Sequence, residues 1–540
     1  MNFDLPAISP DASPEFRDAR ACAAWLENLP LINVGPSQGR LLGELEELNA
    51  CNITPAERLQ ILELLREPIL FVQTEHAKKF ANRAIPLAKP EREVLLNIVA
   101  LWDAYCIGYT RCLQGFASVN RALMASSTQL GLACQRSLWC ASRKIIESLR
   151  CYQEVPARDW KQLHSLYAFG EAEKLLDQQV EHPAQAGQWK TTGTDTYTLP
   201  LLVALANPWE LTARQQGLTA RWLDRWGNNV RLRRAVPEGM GGITPILVDI
   251  AGSAGPDRPQ GASAAAPATT RFLDTTELGK SIRMRLSLLQ KGDTPDKLQL
   301  GEDVPAQMAE QLLRLLHRLW CEEKPPRVPP RKPASAGAEI LSGMLGIHYF
   351  LSGQPFRQPG EAKELSKAQR EEIATFGRIS TRADDDYARK HNLAVEQWQI
   401  RDESLAGMRL ERQAGETRHV HGQMLAVRPA DARSFALATI RWLCLDVNYV
   451  LRCGVQVMPG IPQGVAIRAT GLNAMADKYV PALMLSAVPA LRSPASLVLP
   501  VGWYRPKRVI ELYSDNSRQV LLSAVLERGS DFERVAFEAA

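Results

Sequence analysis

The sequence predicts a multidomain α+β protein: a helical N-terminal half, then a C-terminal antiparallel β-barrel with an additional small β unit. Three observations point there. Apolar residues recur at helical spacing through residues 1–235, they alternate at period two after Glu339, and a proline-rich stretch separates the two patterns. At 540 residues the chain exceeds one ordinary core, so several domains are expected.

The helical half, residues 1–235, is expected to be an irregular array. Thr54-Pro55-Ala56-Glu57 has the form of a capping box with proline at the first helical position, so a helix should begin there. Leu59, Leu62 and Leu65 continue its apolar face. Further helical patterns lie in EREVLLNIVALW (91–102), CQRSLWCASRKIIESL (134–149) and DWKQLHSLYAFGEAEKLLDQ (159–178). The last carries Trp160, Leu163, Tyr167 and Ala172 on one side.

A mixed segment, 236–322, follows. GMGG (239–242) reads as a hinge, PILVDIA (245–251) as a strand, and 276–290 and 304–321 as helices. Between them, 252–270 is small and apolar-poor, which predicts a mobile loop. EKPPRVPPRKPASAGAE (323–339) reads as a stiff, then flexible, linker.

Residues 340–470 are expected to form the barrel. Trp398 with Ile400, Met408 with Leu410, Leu425 with Val427, Ile440 with Trp442, and Val455 with Val457 alternate between turn signals. Residues 471–540, with SLVLP, RVIELYSD and RQVLLSAVLERG, should add the small β unit.

Composition excludes several classes of function. Hydrophobic content of 45%, charge of 23% and a net charge of +5 are ordinary for a globular chain. Nucleic-acid binders carry a stronger basic stripe, so no nucleic acid is expected as a partner. The first residues lack a basic and apolar signal segment, which predicts a cytoplasmic protein. The most apolar window, YVPALMLSAVPAL, is broken by Pro481 and Pro489 and falls short of the roughly 20 residues a membrane span needs.

The ten cysteines include no C-x-x-C pair and read as buried reduced thiols. His419-x-His421 has strand spacing but no third ligand close in sequence, so a solvated strand face is expected and no metal. RPKR (505–508) reads as a surface turn. No nucleophile elbow, H-E-x-x-H or phosphate loop occurs, so neither an enzyme nor a cofactor is expected.

One constellation carries chemistry. GRISTR supplies Arg378-x-x-x-Arg382, and Asp402-x-Ser404-x-x-Gly407 follows between two strand patterns. In that order, ahead of an alternating β region, these five residues resemble the PilZ family of six-stranded barrels, over roughly residues 374–470. The resemblance implies that Arg378, Arg382, Asp402, Ser404 and Gly407 bind cyclic di-GMP.

The ligand is a dianion with two guanine faces. Arginine forks onto guanine O6 and N7 and onto phosphate oxygens, while an aspartate accepts from guanine N–H groups that arginine cannot serve. Ser404, two residues after Asp402, would share its face, and Gly407 would let the backbone approach closely.

A long helical region ahead of such a barrel is similar to large PilZ proteins of bacterial surface attachment and motility. It implies a cytoplasmic second-messenger receptor that signals to a protein partner through its helical half. The alternative is an interaction scaffold with the same barrel and no ligand.

Overall fold

The computed structural model describes residues 3–540 apart from 124–126, 185–188, 238–243, 260–266, 323–330, 361–386, 392, 405 and 471–477. The chain divides into two compact units, Met1–Pro326 and Arg327–Ala540.

The first unit is built on helices, the longest of them Pro55–Ala77, Lys89–Leu123 and Ser127–Arg150. Thr54 caps Pro55–Ala77 as its sequence demands, accepting the Glu57 N–H at 3.2 Å. The other half of the expected capping box forms differently. Glu57 Oε1 accepts the N–H of Ala19 at 2.7 Å, so this carboxylate caps the neighbouring helix Ala19–Glu27 instead of its own. Leu59, Leu62 and Leu65 are buried, as are Trp160, Leu163 and Tyr167 on helix Ala157–Ala172.

A three-stranded sheet of Arg231–Arg233, Ile246–Asp249 and Thr270–Asp274 precedes helices Thr276–Gln290 and Ala306–Cys321. The stretch expected to be a mobile loop is partly docked. Asp257 exchanges backbone hydrogen bonds with Leu247, and the Ala254 carbonyl lies 2.8 Å from His164 Nε2. A Cβ at Gly255 would sit 2.9 Å from the Trp160 ring, so this glycine fits where a larger residue would not. Residues 260–266 of that stretch, and the expected hinge at 239–242, lie outside the described residues.

All ten cysteines are free of disulfides and nine are buried, burial pushing the Cys106 thiol up to about 12. Among the described residues no helix is long and apolar enough to cross a membrane.

The second unit holds two closed six-stranded antiparallel barrels. The first is made of β1 (Lys332–Ser342), β2 (Glu396–Ser404), β3 (Gly407–Gln413), β4 (Met424–Pro429), β5 (Ala436–Leu445) and β6 (Val450–Val457), closing in the order β5-β6-β3-β2-β1-β4. The second is made of β7 (Pro462–Ala469), β8 (Val480–Leu485), β9 (Ser496–Leu499), β10 (Val509–Tyr513), β11 (Ser517–Arg528) and β12 (Glu533–Ala539), in the order β7-β8-β9-β12-β11-β10.

Two expected boundaries move. Residues 332–339, read as linker, are most of β1, because pairing with β2 and β4 satisfies a backbone whose own side chains are small. Pro462–Ala469, placed with the first barrel, opens the second.

The barrels share apolar packing. Leu341, Met424, Phe435 and Leu437 from the first meet Leu483, Val498 and Phe532 from the second, with Ile347 of helix Met344–Ser352 among them. All four residues from Met424 to Val427 are buried. Met424 and Ala426 face this shared core, so pleat alternation turns Leu425 and Val427 to the opposite face of β4. A separate cluster including Ile467, Leu497 and Val535 fills the second barrel.

Candidate functional site

The site is built where β2 ends. Register puts Asp402 opposite Arg409 on β3 and Pro333 on β1. A shift between Ile400 and Asp402 sets both Arg401 and Asp402 against Arg409, a bulge that re-aims the side chain beyond it. From Asp402 to Ser404 the ladder is regular again, so these two side chains share a face.

Two guanidiniums hold the Asp402 carboxylate. Arg331 Nη1 donates to Oδ1 at 2.7 Å, and Arg409 Nε lies 2.8 Å from Oδ2. Asp402 is the most covered of the three, with 15% of its side chain exposed against 26% for Arg331 and 44% for Arg409. The arginines therefore keep part of their surface open to a ligand while the carboxylate is gripped.

The hairpin beyond is closed by Ser404 Oγ, which donates to the Gly407 carbonyl at 3.2 Å. Gly407 is demanded by its neighbour strand. A Cβ there would come within 2.1 Å of the Val455 carbonyl oxygen on β6, so only glycine lets β3 pair at this point.

Beneath the hairpin, Trp398 is buried in the barrel with Arg412 stacked 5.0 Å from its ring centroid. Glu396 binds Arg412 at 3.0 Å and His419 at 3.1 Å. Burial opposes ionisation of Glu396, but the His419 hydrogen bond and the His419 and Arg412 charges outweigh it and bring its carboxyl below the ordinary value.

His419 is thus not on a solvated strand face: it is 1% exposed and belongs to this network. His421 is turned elsewhere, its Nε2 2.9 Å from the Arg441 carbonyl. Among the described residues no group of three or more His, Cys, Asp or Glu is placed to hold a metal ion.

Of the five residues expected to bind ligand, Asp402, Ser404 and Gly407 come together at this hairpin, whereas Arg378 and Arg382 lie outside the described residues. Sequence reasoning missed Arg331 and Arg409. The first had a signal: Arg327 and Arg331 repeat the four-residue arginine spacing directly ahead of β1. Arg327 itself lies outside the described residues. Arg409 had no signal beyond its place opposite Asp402, which only the bulge creates.

Comparison with known proteins gives two family matches. Residues 20–238 match the model described as cyclic-di-GMP receptor FimW, N-terminal domain, and residues 465–540 match the FimW C-terminal beta-barrel domain. Together they take in more than half of the chain, and the second coincides with the second barrel.

The cyclic-di-GMP receptor FimW of Pseudomonas aeruginosa is 23% identical over 546 residues, covering 94% of this chain and 88% of its own. Among solved structures, MrkH, described as a c-di-GMP-dependent transcription regulatory factor, aligns with 35% of this chain and 91% of its own at 10% identity. Its TM-score of 0.13 is too low to argue from.

Proposed function

The chain belongs to the cyclic-di-GMP receptor FimW family, and from that membership we propose that its first barrel binds cyclic di-GMP at the Asp402–Gly407 hairpin. In this reading the helical unit passes occupancy to a protein partner in a bacterial surface-attachment pathway. The observation that carries the proposal is the convergence of Arg331 and Arg409 on Asp402 beside the D-x-S-x-x-G turn.

The chemistry suits the ligand. Arg331 has a planar fork for guanine O6 and N7 or for a phosphate, and Asp402 accepts from guanine N1–H and the exocyclic amine. Without ligand the two groups satisfy each other. Binding would exchange one internal ion pair for two sets of ligand hydrogen bonds, at little net desolvation cost.

The arginine pair is assigned to Arg327 and Arg331, and the pair Arg378 and Arg382 is its competitor. Calorimetry with the full chain separates them. Arg331→Ala should weaken cyclic di-GMP by at least about tenfold, since a bidentate guanine contact is worth roughly 1 to 3 kcal/mol. An equal loss in Arg378→Ala or Arg382→Ala, with Arg331→Ala unaffected, would move the site to the other pair. No heat with the unmodified chain would leave a scaffold whose arginines serve only the hairpin.

A further inference from the structure

The basic cluster RPKR (505–508) takes no part in the reading above. It ends the connection from β9 to β10, residues 500–508, at one end of the second barrel. From Lys478 to Ile510 the sequence has no aspartate or glutamate, so this stretch opposes its own cations nowhere.

The connection is two consecutive turns held down by two rings. The Trp503 N–H reaches the Pro500 carbonyl at 3.4 Å, and the Arg508 N–H donates to the Arg505 carbonyl at 3.1 Å. Between the turns, Trp503 and Tyr504 pack against the core of the second barrel. Each turn leaves its corner in solvent: Val501, 57% exposed, with Gly502 in the first, and Pro506 with Lys507 in the second. Lys507 has a φ of 59°, a conformation that glycine adopts freely and lysine does not. A cation is kept at the tip against the preference of its backbone.

The rings also hold guanidiniums. Arg508 lies 4.9 Å from the Trp503 centroid and donates to the Trp503 carbonyl at 2.9 Å, while Arg528, at the end of β11, lies 6.0 Å from the Tyr504 centroid. The carboxylates alongside are already engaged. Glu533 accepts the Tyr504 N–H at 2.8 Å and pairs with Arg528 at 3.4 Å, and Glu527 pairs with Arg441 at 2.9 Å. Arg505, Lys507 and Arg508 have no anionic partner among the described residues.

Two features set the class of partner. Single nucleic-acid strands are gripped by open aromatic faces on which bases stack, and here each ring is packed on the barrel with a guanidinium beside it. Val501 gives the same connection an exposed apolar corner, which a headgroup layer accepts and a phosphate strand does not use. We propose that this end of the second barrel docks on an anionic phospholipid surface. Arg505, Lys507 and Arg508 meet the headgroup phosphates, and Val501 enters between them. Nothing in this assignment depends on the cyclic di-GMP reading.

The test is flotation of the full chain with vesicles of phosphatidylglycerol and phosphatidylcholine in equal parts, against vesicles of phosphatidylcholine alone. The chain should float with the anionic vesicles only, and about 0.5 M salt should release it. Each cation near such a surface is worth roughly fivefold in partitioning, so the double variant Arg505→Gln with Lys507→Gln should lose more than about tenfold. Val501→Asp should lose several-fold. Lys507→Gly should weaken partitioning about fivefold while raising the thermal unfolding midpoint, a combination that damage to the fold cannot produce.

Equal flotation with both vesicle types overturns the proposal, as does partitioning indifferent to the double variant. So does absence of flotation with the anionic vesicles; retention of a labelled single-stranded DNA in that case would give the turn to nucleic acid instead. The double variant should leave the cyclic di-GMP heat unchanged, which keeps a failure here distinct from a failure at the first barrel.

Discussion

Arg331 and Asp402 stand 71 positions apart in the chain and meet at 2.7 Å across the β1–β2 ladder. This contact joins the residue leading into the barrel to the hairpin that the D-x-S-x-x-G turn forms. Asp402→Asn should lower cyclic di-GMP affinity by at least about tenfold, because a neutral amide no longer accepts a charge-assisted pair of guanine N–H bonds. Stability should change by less than about 1 kcal/mol, since both arginines are partly solvated. Parallel calorimetry and thermal unfolding check the two effects in one sample.

Gly407→Ala should act through structure. Its Cβ would strike the Val455 carbonyl at 2.1 Å, and a backbone atom cannot move aside as a side chain can. The hairpin must part from β6, at a cost of about 1 to 3 kcal/mol. Chemical denaturation should show that loss, and ligand affinity should fall with it.

Glu396 predicts a pH dependence. Its folded carboxyl ionises below the ordinary 4.5, so the stability it contributes is present above that value and is lost as pH falls through the folded value. Glu396→Gln should destabilise the protein by about 3 kcal/mol at neutral pH by leaving Arg412 and His419 without their anion. The gap between variant and unmodified chain should narrow below pH 4.5. Urea midpoints measured at both ends of this range decide it.

Phe532 lies wholly buried where the two barrels meet. Phe532→Ala should cost about 3 to 5 kcal/mol. Because its neighbours Met424 and Leu437 belong to the first barrel, both barrels should lose stability together. Hydrogen exchange resolved by segment would show protection falling in β4 and β5 as well as in β9 and β12. A loss confined to the second barrel would contradict the shared packing.

The helices and the hairpin were legible because their signals are local. Thr54 caps where it should, and Trp398 with Ile400 fall on one buried face. What stayed hidden depended on distant partners. Strand β1 reads KPASAGAEILS, a run of small residues with weak strand preference, and its pairing with β2 and β4 overrides that preference. Hence its proline-rich entry passed for linker, and Arg331 with it. Met424 and Ala426 hid for another reason: Leu425 and Val427 marked their strand, but cover on both faces left no polar residues between them to separate a core side from a water side.

That strand, β4, has a further consequence. Its four buried residues give it no water-facing side from Met424 to Val427, so it is a party wall between two rooms, not a fence facing a garden. Any rearrangement that slides it to suit one chamber must repack the other, and the pair can be moved between proteins only as a single block.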